Sequence, residues 1–421
     1  MTARYWPVVA LLSATATASY LCRVNVSVAG ALVMREFGLS QVAVGQVFSA
    51  FVFGYALAQV PAGLLADRWG TRPVLLVSAW AWVAVTVLIA AVGRGPLGTT
   101  PASAFFLFLA LRFVLGIAEA PTFPASGLGV ARWVPREVQG RASGCVLAAI
   151  GLGSAIAPPL LSIVMIRWGW RTALMASAVP AAAVALIWLG VRRDSRAVSS
   201  SAIADSSRST RARTLRSRNF VLLTASYTLQ GYVGYIFVFW FYLYLVQERH
   251  FDLLRGGLLA ALPWVLSLVS IPLGGVISDR LVASRIGRSW GRRLVPLSGL
   301  TGAGVGTLVG ASTANAYVAA VALALATACV LSVEGPFWAT MMDIEGTRTG
   351  TAGGIMNVGS NVGGFISPAL TPLIAARVGW EHALQLSAAV AIVAAALWLG
   401  IGADEGQGAP PTFLKRTSPA C

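Results

Sequence analysis

The chain has 421 residues, of which 57% are hydrophobic and only 11% are charged. Because an ordinary soluble protein carries about a quarter charged residues, this composition excludes a soluble globular fold and indicates a membrane protein with many spans. The formal net charge of +16 does not indicate nucleic-acid binding, since the arginines lie at the ends of apolar segments and form no single basic face.

Residues that would support an enzyme or a metal site are missing from the sequence pattern. The cysteines are far apart, no C-x-x-C motif occurs, and no histidine lies near them at a spacing typical of metal ligands. No nucleophile is paired with a general base. We therefore expect no enzymatic activity and no cofactor. The cysteines are Cys22, Cys145, Cys329 and Cys421.

Apolar segments alternate with short polar connections along the whole chain. A transmembrane helix needs roughly 20 apolar residues, and twelve segments come close to or exceed this length, which predicts an all-α membrane protein. Numbered as spans 1 to 12, they cover residues 7–34, 43–66, 73–93, 103–131, 142–164, 171–191, 219–247, 256–278, 294–312, 315–342, 350–376 and 382–402.

A basic, serine-rich stretch lies between spans 6 and 7 and has no periodic apolar face, which is typical of a solvated linker. The predicted organisation is an N-terminal six-helix half (1–191), this linker (192–218), a C-terminal six-helix half (219–402) and a tail (403–421). The linker and the loops after spans 2, 4 and 8 carry most of the arginines. The positive-inside rule therefore predicts that both termini and the linker are cytoplasmic, in the lipid of a bacterial cytoplasmic membrane.

Two short motifs occur once in each half. G-L-L-A-D-R (Gly63–Arg68) closes span 2, and G-V-I-S-D-R (Gly275–Arg280) closes span 8. G-S-A-I-A-P (Gly153–Pro158) in span 5 likewise matches G-G-F-I-S-P (Gly363–Pro368) in span 11. Two copies of one six-helix unit explain this pattern. Such repeats are characteristic of secondary transporters, whose substrate site lies between the halves near the middle of the bilayer.

The loop G-L-L-A-D-R-W-G-T-R after span 2 resembles the signature loop of the major facilitator superfamily, with a degenerate copy after span 8. Gly63 permits close helix contact, and Asp67 can pair with cations or helix N-termini of the other half in one conformation only. The alternative is a tight turn with solvated charges. The predicted conformational latch comprises Gly63, Asp67, Arg68, Arg72, Asp279 and Arg280.

Four ionisable residues within the spans need an explanation, because a charge in hydrocarbon costs at least about 2.5–3.5 kcal/mol. They are Arg23 in span 1, Arg112 and Glu119 in span 4, and Glu334 in span 10. Arg23 lies near the middle of its span, on the same helical face as Tyr20. Since a guanidinium binds a carboxylate or phosphate through two parallel hydrogen bonds, Arg23 is predicted to anchor an anionic substrate. The alternative is a structural ion pair with Glu119.

Glu119 is the candidate for proton coupling. A carboxylate in an apolar cavity takes up a proton more readily than one in water, and a nearby cation such as Arg23 opposes this. Its protonation can therefore depend on which side of the protein is open and on whether substrate is bound. Coupled movement of a proton and a solute requires such a dependence. The alternative is a purely structural carboxylate.

Three segments together resemble the anion:cation symporter family, which includes bacterial transporters of hexuronates and sugar acids and the animal sialin and vesicular glutamate carriers. They are Y-L-C-R-V-N-V-S-V-A in span 1, F-V-F-G-Y-A-L-A-Q-V-P-A-G in span 2 and R-F-V-L-G-I-A-E-A-P-T-F-P in span 4. The resemblance covers the whole chain and implies the major facilitator fold, with twelve transmembrane helices in two pseudo-symmetric halves.

The same resemblance implies roles for individual residues. Tyr20 and Arg23 would contact a substrate carboxylate, and Glu119 would take part in proton coupling. Glu334 receives no assigned role. The residues expected to bind substrate or line its cavity are Tyr20, Arg23, Tyr55, Ser332, Trp338 and Asn361.

One position departs from the family pattern. Bacterial members typically carry aspartate immediately before the span 1 arginine, whereas this chain carries Cys22. A neutral thiol cannot replace a carboxylate at neutral pH. Glu119 is therefore the expected proton carrier, and the number of protons moved is left open.

The predicted function is proton-coupled uptake of a small organic anion, such as a sugar acid or other carboxylate, by alternating access of two rocking halves. We expect a monomer that binds no nucleic acid. Within transporters, the alternatives are an organic phosphate antiporter and an exporter of drug-like compounds. A phosphate exchanger should present more than one cavity arginine, and Arg112 is expected near the outer leaflet. A further alternative is a transporter-like receptor that binds solute without moving it.

Overall fold

The computed structural model describes residues 5–94, 99–135, 138–191, 217–345 and 349–402, so most of the predicted linker and all of the tail lie outside the described residues. Every regular element of the described part is helical. The helices are α1 (Trp6–Phe37), α2 (Gln41–Trp69), α3 (Thr71–Ala91), α4 (Pro101–Glu119), α5 (Thr122–Trp133), α6 (Gln139–Gly190), α7 (Arg218–Gln247), α8 (Leu253–Ala283), α9 (Gly287–Ser312), α10 (Ala316–Ser332), α11 (Glu334–Glu345) and α12 (Thr349–Leu397), followed by a 3-10 turn (Trp398–Gly400).

Ten helices in the described ranges are long and apolar enough to cross a membrane, when α4 with α5 and α10 with α11 are each counted as one. The sequence predicts twelve, and the difference lies in α6 and α12, which have 52 and 49 residues. Each is interrupted by a glycine in the left-handed region, Gly169 (φ 80°) and Gly379 (φ 90°). Residues with a Cβ rarely adopt this conformation. Spans 5 and 6, and spans 11 and 12, are therefore joined through a single glycine.

Large apolar side chains cover the outside of the helical bundle. Val60, Leu64, Phe106 and Val269 are each about two-thirds exposed. Monomeric soluble proteins rarely expose contiguous apolar surface on this scale. The exposed side chains are those expected of a protein surrounded by lipid.

The repeated glycine motifs make equivalent contacts in the two halves. Gly153 of α6 packs on α1, where a Cβ would strike the backbone carbonyl of Thr17. Gly363 of α12 packs on α7 in the same way, against the carbonyl of Thr228. Small residues allow this close approach of helix backbones in a membrane. The sequence repeat therefore corresponds to a repeat in helix packing.

The halves are joined mainly toward one end of the bundle. We call the end at which α1 begins and α2 ends the terminal face, and the other end the opposite face. At the opposite face, Gln41 donates hydrogen bonds to Gln247 (3.1 Å) and Glu248 (3.3 Å). Toward the terminal face, a Cβ at Gly127 or Gly354 would meet no atom within 4 Å. The halves thus pack at the opposite face, and there is open space beside Gly127 of α5 and Gly354 of α12.

Candidate functional site

Two membrane helices are interrupted part-way, and each interruption carries a carboxylate. In the N-terminal half, α4 ends at Glu119, and α5 begins at Thr122, after Pro121. Proline has no amide hydrogen with which to continue a helix, and the Thr122 hydroxyl donates to the Glu119 backbone carbonyl (2.7 Å). In the C-terminal half, α10 ends at Ser332 and α11 begins at Glu334. Equivalent helices of the two halves are therefore both broken beside an acidic residue.

Arg23 and Glu119 form a buried ion pair. Oε1 of Glu119 lies 2.7 Å from Nε and 2.6 Å from Nη2 of Arg23, and the two side chains are 0% and 4% exposed. The Tyr20 hydroxyl accepts a further hydrogen bond from Nη1 of Arg23 (3.1 Å). Oε2 of Glu119 has no hydrogen-bond partner in the described part of the chain. In this conformation Glu119 thus occupies the Nε and Nη2 side of the Arg23 guanidinium.

Three aromatic rings surround the Arg23 guanidinium. Its Cζ atom lies 4.4 Å from the ring centre of Tyr20, 4.8 Å from that of Tyr55 and 5.2 Å from that of Phe51. These distances are within the range of cation–π attraction. The rings restrict the movement of the guanidinium and so hold the orientation of the Arg23 side chain. Tyr20 and Tyr55, which the sequence assigns to the substrate cavity, both lie beside Arg23.

Arg112 extends this cluster beyond what the sequence predicts. It is fully buried, its Nη2 donates to the backbone carbonyl of Arg23 (3.0 Å), and its Cζ lies 4.5 Å from the Phe51 ring centre. Its Nε and Nη1 have no hydrogen-bond partner among the described residues. The sequence analysis expects Arg112 near the outer leaflet, whereas its guanidinium reaches the backbone of Arg23, near the middle of span 1. The N-terminal cluster therefore contains two guanidinium groups and one carboxylate, Glu119.

A second polar cluster surrounds Glu334 in the C-terminal half. The Tyr227 hydroxyl donates to its Oε2 (2.9 Å), and the Gln230 amide donates to its Oε1 (2.9 Å). Trp338 lies within hydrogen-bonding reach of the same carboxylate and packs edge-on against Tyr227. No cation pairs with Glu334 within the described ranges of the chain. The sequence analysis names Glu334 and Trp338 but not Tyr227 and Gln230, whose polar side chains within an apolar helix were the available signal.

Asn361 belongs to a chain of hydrogen bonds that crosses between the halves. Tyr235 donates to its side-chain oxygen (3.3 Å), and its amide donates to the backbone carbonyl of Asn357 (2.8 Å). The Asn357 amide in turn donates to Gln59 of α2 (2.5 Å). Tyr235, Asn357 and Gln59 were not among the predicted site residues. Their polar side chains within apolar helices were the available signal.

Ser332 lies apart from both clusters. Its hydroxyl donates to the Cys329 carbonyl (2.8 Å), and the residue packs against Gly274 of α8 and Gly299 of α9. Contact with substrate therefore stays a prediction for Ser332 and has no support from its surroundings. Cys22 is also turned away from the Arg23 site, since its thiol donates to the carbonyl of Ser177 in α6 (3.5 Å).

The residues of the predicted latch lie at the terminal face and make contacts within their own half of the chain. Arg72 donates to the carbonyls of residues 188 and 189 at the end of α6. Asp279 pairs with Arg292 (2.6 Å), which also binds Asp343 (2.9 Å). A Cβ at Gly63 would meet no atom within 4 Å. Closure of the latch in another conformation stays a prediction, and its exposed members are Asp67, Arg68, Asp279 and Arg280. In the described ranges, no three His, Cys, Asp or Glu residues are grouped to hold a metal ion.

Comparison with known structures supports the fold. A bacterial homologue of the human lysosomal transporter Spinster, inward-facing and occupied, superposes with a TM-score of 0.76 at 17% identity, over 94% of this chain and 96% of that one. A D-xylose–proton symporter gives a TM-score of 0.78 at 15% identity, over 95% and 99%. At such low identity these similarities show the fold alone.

Sequence comparison gives nearer relatives. The chain is 32% identical to the probable sulfoacetate transporter of Cupriavidus necator, over 91% of this chain and 89% of that protein. It is 29% identical to the probable galactarate/D-glucarate transporter of Bacillus subtilis (92% and 90%) and 25% identical to the hexuronate transporter of the same organism (92% and 92%). Residues 12–344 match the model of the Major Facilitator Superfamily. The chain therefore belongs to the major facilitator superfamily of membrane transporters.

Proposed function

We propose that this transporter takes up a small organic anion, such as a sugar acid or other carboxylate, together with protons. The main support is the charge of the N-terminal cluster, in which two buried arginines face one buried carboxylate. Within this cluster one guanidinium has no carboxylate partner, which is costly in a medium of low dielectric constant, and a bound anion would pair with it. Relatives named as transporters of sulfoacetate, galactarate, glucarate and hexuronates are consistent with this class of substrate.

Substrate recognition would combine both halves. Arg23 and Tyr20 would bind the acidic group, beside the ring of Tyr55. Asn361 and Trp338 would bind hydroxyl groups from the C-terminal half. Glu119 is paired with Arg23 in this conformation, so the substrate would compete with Glu119 for the guanidinium. Because protonation of Glu119 releases Arg23, proton binding and anion binding support each other. This reciprocity is the proposed basis of coupling.

Alternating access would follow from rocking of the two halves about this site. Counting α6 and α12 twice at their glycine breaks gives twelve crossings, which places the start of α1 and the end of α12 on one side. We propose that this terminal face is cytoplasmic, that the conformation described is inward-facing, and that the latch of Gly63, Asp67 and Arg68 closes in the opposite one. The transporter would act as a monomer in the bacterial cytoplasmic membrane.

Uptake by the full chain in proteoliposomes tests this proposal. Labelled sulfoacetate, D-glucarate, D-glucuronate and D-galactonate would be offered with and without an inward proton gradient, with the membrane potential clamped at zero. We expect the gradient to drive accumulation of at least one of these anions. Accumulation that the gradient leaves unchanged would show that proton coupling is wrong.

Two variants test the role of Arg23 in the same assay. Arg23→Ala should abolish uptake, because the anion loses its cationic partner. Arg167→Ala is the matched control, since Arg167 is exposed on α6 and should leave uptake unchanged. Full uptake by Arg23→Ala would remove this residue from the substrate site.

A further inference from the structure

The net charge of the two clusters is zero when both arginines and both glutamates are ionised. Arg23 and Arg112 contribute two positive charges, and Glu119 and Glu334 contribute two negative charges. Enclosing a net charge in a low-dielectric site is costly, so a closed carrier is favoured when its contents are neutral. A singly charged anion then requires one added proton, and a doubly charged anion requires two. Glu119 can take one proton, which leaves Glu334 as the remaining carboxylate in the clusters.

The surroundings of Glu334 suit both of its protonation states. A tyrosine hydroxyl both donates and accepts hydrogen bonds, and a glutamine side chain has donor and acceptor atoms. Tyr227 and Gln230 can therefore satisfy Glu334 as a carboxylate, as seen here, or reorient around a carboxylic acid. Arg23, the partner of Glu119, differs from Tyr227 and Gln230 because a guanidinium only donates hydrogen bonds. Glu119 is therefore ionised as long as it is paired with Arg23.

Charged groups on the neighbouring helices do not reach Glu334. The titratable groups facing it are tyrosines of α7, with Tyr227 in contact and Tyr235 farther away. Its neighbours on α10 include no charged residue. At the terminal face, Arg288 and Arg292 pair with Asp343, and Arg292 also pairs with Asp279. The first charged residue of α12 whose side chain is described, Arg377, lies near the opposite face. Glu334 is half-buried.

We propose that Glu334 binds a proton in each transport cycle, so that the carrier moves two protons with each doubly charged organic anion. This inference rests on the proposed function, because it assumes that anion movement is coupled to protons. It adds a second proton-binding site, in the C-terminal half, and it identifies dianions as the preferred substrate class.

The number of coupled protons can be read from accumulation at equilibrium. With the membrane potential clamped at zero, each coupled proton raises the ratio of internal to external substrate about tenfold per pH unit of gradient. For D-glucarate, a dianion, we expect about a 100-fold change per pH unit in the wild type and about a tenfold change in Glu334→Gln. Glutamine keeps the size and hydrogen bonding of the protonated acid. Because the ratio of internal to external substrate is measured at equilibrium, it does not depend on how fast the variant transports.

The outcomes separate the two proposals. An unchanged slope in Glu334→Gln would overturn the role of Glu334, while a proton-dependent wild type would leave the proposed function standing. A wild type without any dependence on the gradient would overturn proton coupling itself. Clamping the potential negative inside gives a second readout: it should lower D-glucarate accumulation by Glu334→Gln and leave the electroneutral wild type unchanged.

Infrared titration of the purified transporter in lipid tests the same group without any substrate. The wild type should gain a carbonyl band from the protonated Glu334 acid as the pH is lowered, and Glu334→Gln should lose this band. Tyr227→Phe keeps the ring but removes one donor to the carboxylate, so the band should appear at higher pH. A spectrum that is identical in wild type and Glu334→Gln across the titration would overturn the inference.

Discussion

Replacing Glu119 by glutamine should tighten the binding of a substrate anion at neutral pH. In the structure, one oxygen of Glu119 lies 2.7 Å from Nε and 2.6 Å from Nη2 of Arg23. If Arg23 anchors the substrate as proposed, the substrate carboxylate must take over these positions to bind. Glutamine keeps the length of the side chain and one acceptor oxygen, but it removes the competing negative charge.

The size of the effect follows from the contact that is lost. A hydrogen bond to a charged group contributes about 1.5–3 kcal/mol, and about 1.4 kcal/mol corresponds to a factor of ten in affinity. We therefore expect Glu119→Gln to bind the anion about 10- to 100-fold more tightly than the wild type. The difference should narrow as the pH falls, because protonation of Glu119 releases Arg23 in the wild type and brings it toward the variant.

Calorimetric titration of the purified transporter with D-glucarate, repeated across a pH series, measures this difference. Glu381→Gln is the matched control, since Glu381 is exposed near the opposite face, and it should follow the wild type at every pH. Binding by Glu119→Gln that is weaker than or equal to that of the wild type at neutral pH would refute the competition. A difference that does not narrow at low pH would refute the role of the Glu119 proton in releasing Arg23.

Three other substitutions test the site and the packing around it. Arg23→Lys should lower initial uptake rates at least about tenfold, because a lysine ammonium cannot present a planar fork to a carboxylate. Gly116→Ala should lower the melting temperature by several degrees, because its Cβ would strike an α2 carbonyl and overpacking costs about 1–3 kcal/mol. Gly127→Ala is the control and should leave the melting temperature unchanged, because its Cβ would meet no atom within 4 Å. Asn357→Ala removes a hydrogen bond to Gln59 of about 1 kcal/mol and should shift the populations of the two conformations about fivefold, measured by spin-label distances across the opposite face.

The sequence predicts the membrane helices well because hydropathy needs no knowledge of neighbouring helices. It separates spans 5 and 6 at R-W-G-W, where the structure has one long helix that is interrupted at Gly169. The turn there is so short that backbone hydrogen bonding continues on both sides. Hydropathy also misses the interruptions of spans 4 and 10, because an apolar segment stays apolar when its helix is broken at a residue such as Val333.

The sequence identifies the charged residues of the site, because each charge within the membrane needs a partner. The pair of Arg23 and Glu119, which the sequence analysis gives as the alternative to an anion anchor, is present in the structure. The contact of Arg112 with the backbone of α1 depends on how closely α1 and α4 cross. The spacing of residues along one helix carries no information about that distance. The orientation of Ser332 depends on the helix break that follows it. These features arise from the packing of helices and not from any one segment.

Each polar cluster belongs to one half of the transporter, and this limits how transport can be coupled. Arg23 and Glu119 both lie in the N-terminal half, and Glu334 with its donors lies in the C-terminal half. A rocking motion that moves the halves as rigid bodies leaves both sets of contacts intact. It changes only the access of water and the distance between the clusters. We therefore infer that the carrier senses its load through the net charge enclosed when the halves close, so an anion bound without its protons would hold the halves apart.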